Sequence, residues 1–228
     1  MAKHLSIFAV LGIALAGCAA QAPTVDTSEG AEMSFDGLYP VQNSRADQAW
    51  ARSDVDLTQY SKIILQSAGI EYRPGGESGR TFMSRTKADH FEVTDSQKAR
   101  LLETVNEKFM EELGKSKHFT LVTEPGPDVL LIRGALLDVV SFAPPEESMG
   151  IRDSVYLSSV GEATLVIELR DSITEAILAR AVDRRAAESA FEFRESTRAN
   201  NTQEVRRLAG TWARLLRDQL DEYGAPAE

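Results

Sequence analysis

The chain has few of the residues that build reactive centres. Among its 228 residues there is one cysteine, Cys18, and there are three histidines, His4, His90 and His118. A single thiol can form neither an intramolecular disulfide nor a thiolate metal cluster. His90 and His118 stand far apart with no His-Glu-x-x-His spacing, and both are expected at the surface. A Gly-x-Ser-x-Gly elbow is missing as well. Ser84-Arg-Thr-Lys87 has a Ser-x-x-Lys spacing, but it falls in a charged loop without the companion motifs of that enzyme class. The stretch from Gly75 to Thr81 is one residue short of a phosphate loop between its glycines. It also has Arg80 where lysine is needed and an acid that repels phosphate. Glu146 and Glu147 are adjacent, beside prolines, and read as solvated loop charge rather than an acid/base pair. No catalytic residue, metal ligand or cofactor is therefore expected. Basic residues are also outnumbered: 25 Lys and Arg face 35 Asp and Glu, a net charge of -10. Such a chain repels phosphate backbones, so nucleic acid is not an expected partner.

Long apolar runs are missing too, and the one that exists is informative. Leu5 to Gly17 spans thirteen residues with only Ser6 polar, behind the single positive charge of Lys3. A membrane span needs about 20 apolar residues, whereas a signal-peptide core is shorter. The run ends in Leu15-Ala16-Gly17-Cys18, which resembles the lipobox of bacterial lipoproteins. The types suit the chemistry: a thiol can take a diacylglyceryl group as a thioether, and small residues before it let the scissile bond enter a membrane peptidase. The resemblance implies residues 1–17 as a signal peptide, with Leu15, Ala16 and Gly17 read by the signal peptidase. Cys18 would then be lipidated and its new amino group acylated, giving up to three chains. Each buried CH₂ contributes about 0.8 kcal/mol, so such an anchor does not let go. The competing reading is an ordinary secretory signal with an incidental cysteine. Ala19 follows the cysteine where inner-membrane lipoproteins of enteric bacteria carry Asp, which favours the outer membrane; the inner membrane stays open.

With 43% hydrophobic and 26% charged residues, the remainder has an ordinary globular composition. Residues 18–34 are small and polar and read as a lipidated flexible tether, with a single domain over 35–224. Lys62–Tyr72 reads as a first strand, and Arg73–Val93, rich in Gly and charge, as a long loop. Thr94 and Gln97 have capping-box spacing ahead of Leu101, Leu102, Val105, Phe109 and Leu113, a helix that Gly114 stops. Strands are expected over Phe119–Thr123, Val129–Phe142, Val155–Arg170 and Ala176–Ala190, the last two joined by a turn at Asp171–Thr174. Asn201 with Glu204 signals a second cap. Val205, Leu208, Ala209, Trp212, Leu215, Leu216 and Leu220 then trace one helical face, closed by Gly224. The order β-α-β-β-β-β-α predicts an α+β two-layer sandwich, a mostly antiparallel sheet with two helices on one face. Trp212 is expected in the core, and Trp50 and Tyr60 in a packed N-terminal arm.

Four phrases stand in the order seen in one family: Asp54 to Leu65, Glu124 to Leu131, Gly161 to Ser172, and Ile177 to Arg185. Over roughly Phe35 to Tyr223 the chain resembles domain of unknown function 3313, a family of bacterial lipoproteins. The resemblance implies export, lipidation and an outer-membrane address, and transfers no catalytic residue. Glu175 departs from it, where Gly is expected in the turn.

Arg184, Arg185, Arg194, Arg198, Arg206 and Arg207 form a denser basic stretch, with Arg184 and Arg185 as candidate contacts for an anionic ligand or partner. Asp183, Glu188, Glu192, Glu195 and Glu204 interleave it, which equally describes surface ion pairing. The leading expectation is a non-catalytic envelope protein that binds another envelope protein or assists assembly. The partners are then the membrane, through lipid on Cys18, and an envelope protein or peptidoglycan. A cell-wall glycan or small-ligand binder and a periplasmic hydrolase are the alternatives.

Overall fold

The computed structural model describes residues 21–74, 90–144, 154–188 and 193–225. Leu15, Ala16, Gly17 and Cys18 lie outside the described residues, as do Ser84–Lys87, Gly75–Thr81 and the Glu146–Glu147 pair. Three short strands come first: β1 (Thr24–Val25), β2 (Tyr39–Gln42) and β3 (Gln48–Ala51). The long strand β4 (Lys62–Tyr72) leads to helix α1 (Asp95–Leu113). Then follow β5 (Thr120–Leu121), β6 (Val129–Ser141), β7 (Tyr156–Leu157), β8 (Ser159–Asp171), β9 (Ile177–Glu188), β10 (Arg194–Glu195) and helix α2 (Arg198–Tyr223).

Eight strands form one sheet in the order β1-β2-β3-β9-β8-β6-β4-β5, and β10 pairs with β7 in a separate ribbon. The sheet is mixed, which corrects the mostly antiparallel sheet expected from sequence. β4 runs parallel to both β5 and β6, while β6, β8, β9, β3, β2 and β1 are joined antiparallel. The reason is topological. A helix between two paired strands carries the chain back to its starting end, so the β4-α1-β6 crossover makes the pair parallel.

Thr24 and Val25 fall in the segment expected to be tether, yet they pair with Gln42 and Val41. The sheet therefore begins before Phe35. Trp50 lies in β3, opposite Arg180 of β9, and Tyr60 is buried, donating its hydroxyl to Asp171 at 3.0 Å. Burial, helped by Asp171, pushes the Tyr60 phenol up to about 12.

Alternation along the long strands builds the core. Ile63 and Leu65, Leu130 and Ile132, and Ala163, Leu165 and Ile167 recur at every second position. They join Phe109 and Leu113 of α1 and Trp212, Ala213 and Leu220 of α2 in one apolar cluster. Fully burying a Leu or Ile is worth about 1.5–3 kcal/mol, so these side chains decide which face of each strand turns inward.

Both helices start at threonine caps. The Thr94 hydroxyl accepts the Gln97 N–H at 3.4 Å, and the Thr94 N–H donates to the Gln97 amide oxygen at 2.8 Å, completing the expected box. For α2 the cap is Thr197, which accepts the Asn200 N–H at 3.2 Å, and not Asn201. Asn201 is already helical and donates its side-chain amide to Ser196 at 3.0 Å.

Two residues other than glycine in the long strands and their turns hold positive φ. Glu175 (φ 57°) occupies the turn position where glycine was expected. Asp138 (φ 53°) sits where the β6–β8 register slips between Leu137 and Val140. Opposite that slip, a Cβ on Gly161 would lie 2.3 Å from the Val140 carbonyl oxygen, so only glycine lets β8 approach β6 here.

Candidate functional site

Where the first turns of α1 and α2 meet the same end of the sheet, the packing leaves a cavity of about 150 Å³. Its inner wall is apolar and buried. Leu136, Val139 and Val140 come from β6, Ala163 from β8, Ala187 from β9, and Ala209 and Trp212 from α2. Leu101 and Val105 of α1 and Val205 and Leu208 of α2 close the sides. The helical spacing of these residues turns them inward, and the threonine caps fix where each helix begins.

Besides Thr104 and Ser141, the polar lining includes residues from the first two turns of the helices: Gln97 and Arg100 on α1, and Arg198, Asn201 and Thr202 on α2. Arg198 is exposed, and the other four are half-buried. Glu162 also lines the cavity, and its carboxylate accepts Arg184 Nη2 at 2.5 Å. The wall is held rigid at Trp212, whose indole N–H donates to the buried Asp183 at 2.7 Å. Asp183 further accepts Arg185 Nε at 2.5 Å and the Asp47 N–H at 3.3 Å. Trp212 is thus core, as expected, and a cavity wall as well.

The basic stretch divides among carboxylates. Arg184 meets Asp138 at 2.7 Å and Glu162, while Arg185 meets Asp183. Each guanidinium thus has its own carboxylate partners. Both still border an open cleft of about 600 Å³, shared with Glu188, Glu204 and Arg207. Buried Glu204 takes Arg194 at 3.0 Å and Arg207 at 2.8 Å, and Arg206 meets Glu107 at 2.8 Å. Asp138 accepts Arg73 as well as Arg184, which together hold its carboxyl far below the usual range.

His90 contacts the Pro74 carbonyl through Nε2 at 2.8 Å, and His118 is exposed. Among the described residues, no three His, Cys, Asp or Glu side chains gather as metal ligands. The cavity lining is chemically a binding surface: alkyl and aromatic walls supply apolar contact, and guanidinium and amide groups supply hydrogen-bond donors at one end.

Sequence reasoning named Arg184 and Arg185 but passed over the cavity. Its walls come from five separate elements, and each wall residue taken alone reads as ordinary core. The lone signal was Arg198 standing at the first position of α2, where acids are the favoured residues.

A comparison with curated proteins finds no match. Among solved structures, the chain is similar to a PelC variant dodecamer from Paraburkholderia phytofirmans. The identity is 11%, with 74% of this chain and 95% of that one covered, at a TM-score of 0.35. It is also similar to protein XCC0632 from Xanthomonas campestris: 14% identity, 75% and 93% covered, TM-score 0.34. A PDZ domain protein from Parabacteroides distasonis matches at 14% identity, 79% and 35% covered, TM-score 0.36. Likenesses this distant say nothing of the chemistry at the cavity. The family model described as "Protein of unknown function (DUF3313)" matches residues 27–216, most of the length, and the chain belongs to that family.

Proposed function

We propose that the chain is a lipid-anchored, non-catalytic binding module of the bacterial cell envelope, held at the outer membrane through Cys18. Anchoring rests on the sequence Leu15-Ala16-Gly17-Cys18 behind its apolar run. Binding rests on one structural observation, the apolar cavity with donors gathered at one end. We also infer that both helices lie on one sheet face as a two-layer sandwich, because the inward residues of the long strands and both helices share one cluster.

β1 begins six residues after Cys18. A chain extends at most about 3.3–3.6 Å per residue, so the folded body stands within roughly 20 Å of the bilayer. The test is fractionation: wild-type chain is expected in the outer-membrane fraction and resistant to high salt, with Cys18→Ser lost from it. Equal outer-membrane retention of both contradicts the anchor.

A second reading is favoured by the open cleft that Arg184, Arg185 and Arg207 border. Such a cleft suits an anionic polymer such as peptidoglycan. Sedimentation with isolated sacculi should then fall when Arg184 and Arg185 are both changed to Ala; unchanged sedimentation removes this reading.

A further inference from the structure

We propose that the cavity between α1, α2 and the sheet binds a medium-chain anionic amphiphile. Its alkyl tail would lie against Leu136, Val139, Ala163 and Trp212, and its carboxylate-type head at Arg100 and Arg198. The inference rests on the binding-module reading and gives it a ligand class.

Size sets the tail. A pocket of about 150 Å³ with an apolar inner wall has room for a guest of about six to eight carbon atoms. Filling it recovers contacts that the bare wall forgoes, because the lining atoms otherwise have no neighbours on one side. Polarity sets the orientation, since the inner wall is largely alkyl and aromatic while five of the polar lining residues fall in the first two turns of the helices.

Charge sets the head. In a chain of net charge -10, the lining holds two guanidinium groups and one carboxylate, and that carboxylate is held by Arg184. Both helices also direct the positive ends of their dipoles toward this region. Arg100 and Arg198 each take part in another interaction within the chain. A guanidinium carries five N–H donors, so a ligand oxygen can be added without displacing that partner. A neutral head would forgo charge-assisted hydrogen bonds, a difference of about tenfold or more in affinity.

The test uses the full-length chain with Trp50→Phe, which leaves Trp212 on the cavity wall as the only indole. Tryptophan fluorescence is followed during titration with octanoate, octanol and butyrate, against protein-free blanks. The expected result is a saturable change with octanoate, about tenfold weaker binding of octanol, and no saturation with butyrate, which is too short to fill the cavity. Val205→Phe, which fills the space, should abolish the octanoate response while the thermal melt stays cooperative. Leu208→Phe does the same from a second position should Val205→Phe not fold. Arg198→Gln should weaken octanoate about tenfold and leave octanol unchanged.

Absence of saturation with octanoate overturns the proposal, and so does an undiminished response in a folded cavity-filling variant. Octanol binding as tightly as octanoate overturns the anionic head. Repeating the titration with Cys18→Ser separates the two claims. Release from the membrane is read by fractionation and octanoate binding by fluorescence, so either can fail while the other stands.

Discussion

Glu175 is exposed and sits at φ 57°, a conformation that costs an ordinary L residue roughly 1–2 kcal/mol. Its backbone does the holding: its N–H donates to the Asp171 carbonyl at 3.0 Å, and its own carbonyl accepts Arg170 at 2.7 Å. Glycine keeps both bonds and removes the Cβ conflict, at the cost of a more flexible unfolded chain. Glu175→Gly should therefore raise stability by about 1 kcal/mol, read as a higher denaturant midpoint. Asp138 has nearly the same φ, but its carboxylate bridges Arg73 and Arg184. Asp138→Gly should lower the midpoint. If both glycine variants shift the midpoint in the same direction, backbone strain and side-chain bridging have been misassigned.

At the level of elements, the helix caps decide where the cavity lining begins. Thr197 satisfies the Asn200 N–H at the start of α2, and removing a threonine cap costs about 1 kcal/mol. Thr197→Ala should lose that much in urea unfolding, whereas Asn201→Ala should not show the loss of a cap. The reverse order would restore Asn201 as the cap. The sequence signal for Asn201 was real in pattern, with Glu204 three residues on. Glu204 instead turns inward to Arg194 and Arg207, and the cap moved to the nearest extended threonine.

Elements long enough to show a period were legible. The β-branched and aromatic residues of Lys62–Tyr72 and the helical spacing from Leu101 to Leu113 each identify their element without tertiary help. β1, β2 and β3 were not, because two to four residues such as Gln48-Ala-Trp-Ala51 hold no measurable period and take their strand geometry from pairing with neighbours. Strand direction was readable in principle from the β4-α1-β6 crossover. Cys18 stands out within a local motif, but the cavity could not be foreseen, since Val140, Ala187 and Ala209 meet only after three distant elements pack.

Across the whole molecule, arginines on the long strands tie down acidic side chains. Arg180 joins Asp36 at 2.5 Å and Glu168 at 2.9 Å, and Arg170 adds 2.8 Å to Glu168. Burial alone would raise both carboxyls, but the arginine contacts, with Ser34 at Asp36, outweigh it and lower them. Asp138 and Asp171 are lowered as well, by Arg73 and Arg184 and by the Thr174 backbone N–H respectively. Carboxyls whose folded values lie below the unfolded ones stabilise the fold above an unfolded pKa of about 4, and that contribution fades as pH falls through the folded values. The thermal midpoint should accordingly stay level near neutral pH and drop steadily below about pH 4. A midpoint that is flat or rises on acidification would mean that these bridges contribute nothing.

The proposed placement of this body beside a membrane depends on one sulfur. Mass spectrometry of the N-terminal peptide from chain purified out of membranes reads it directly. The account predicts a mature chain that begins at Cys18 and carries diacylglyceryl and acyl mass, which persists under denaturing conditions. A mature terminus elsewhere, or Cys18 with a free thiol, would contradict it.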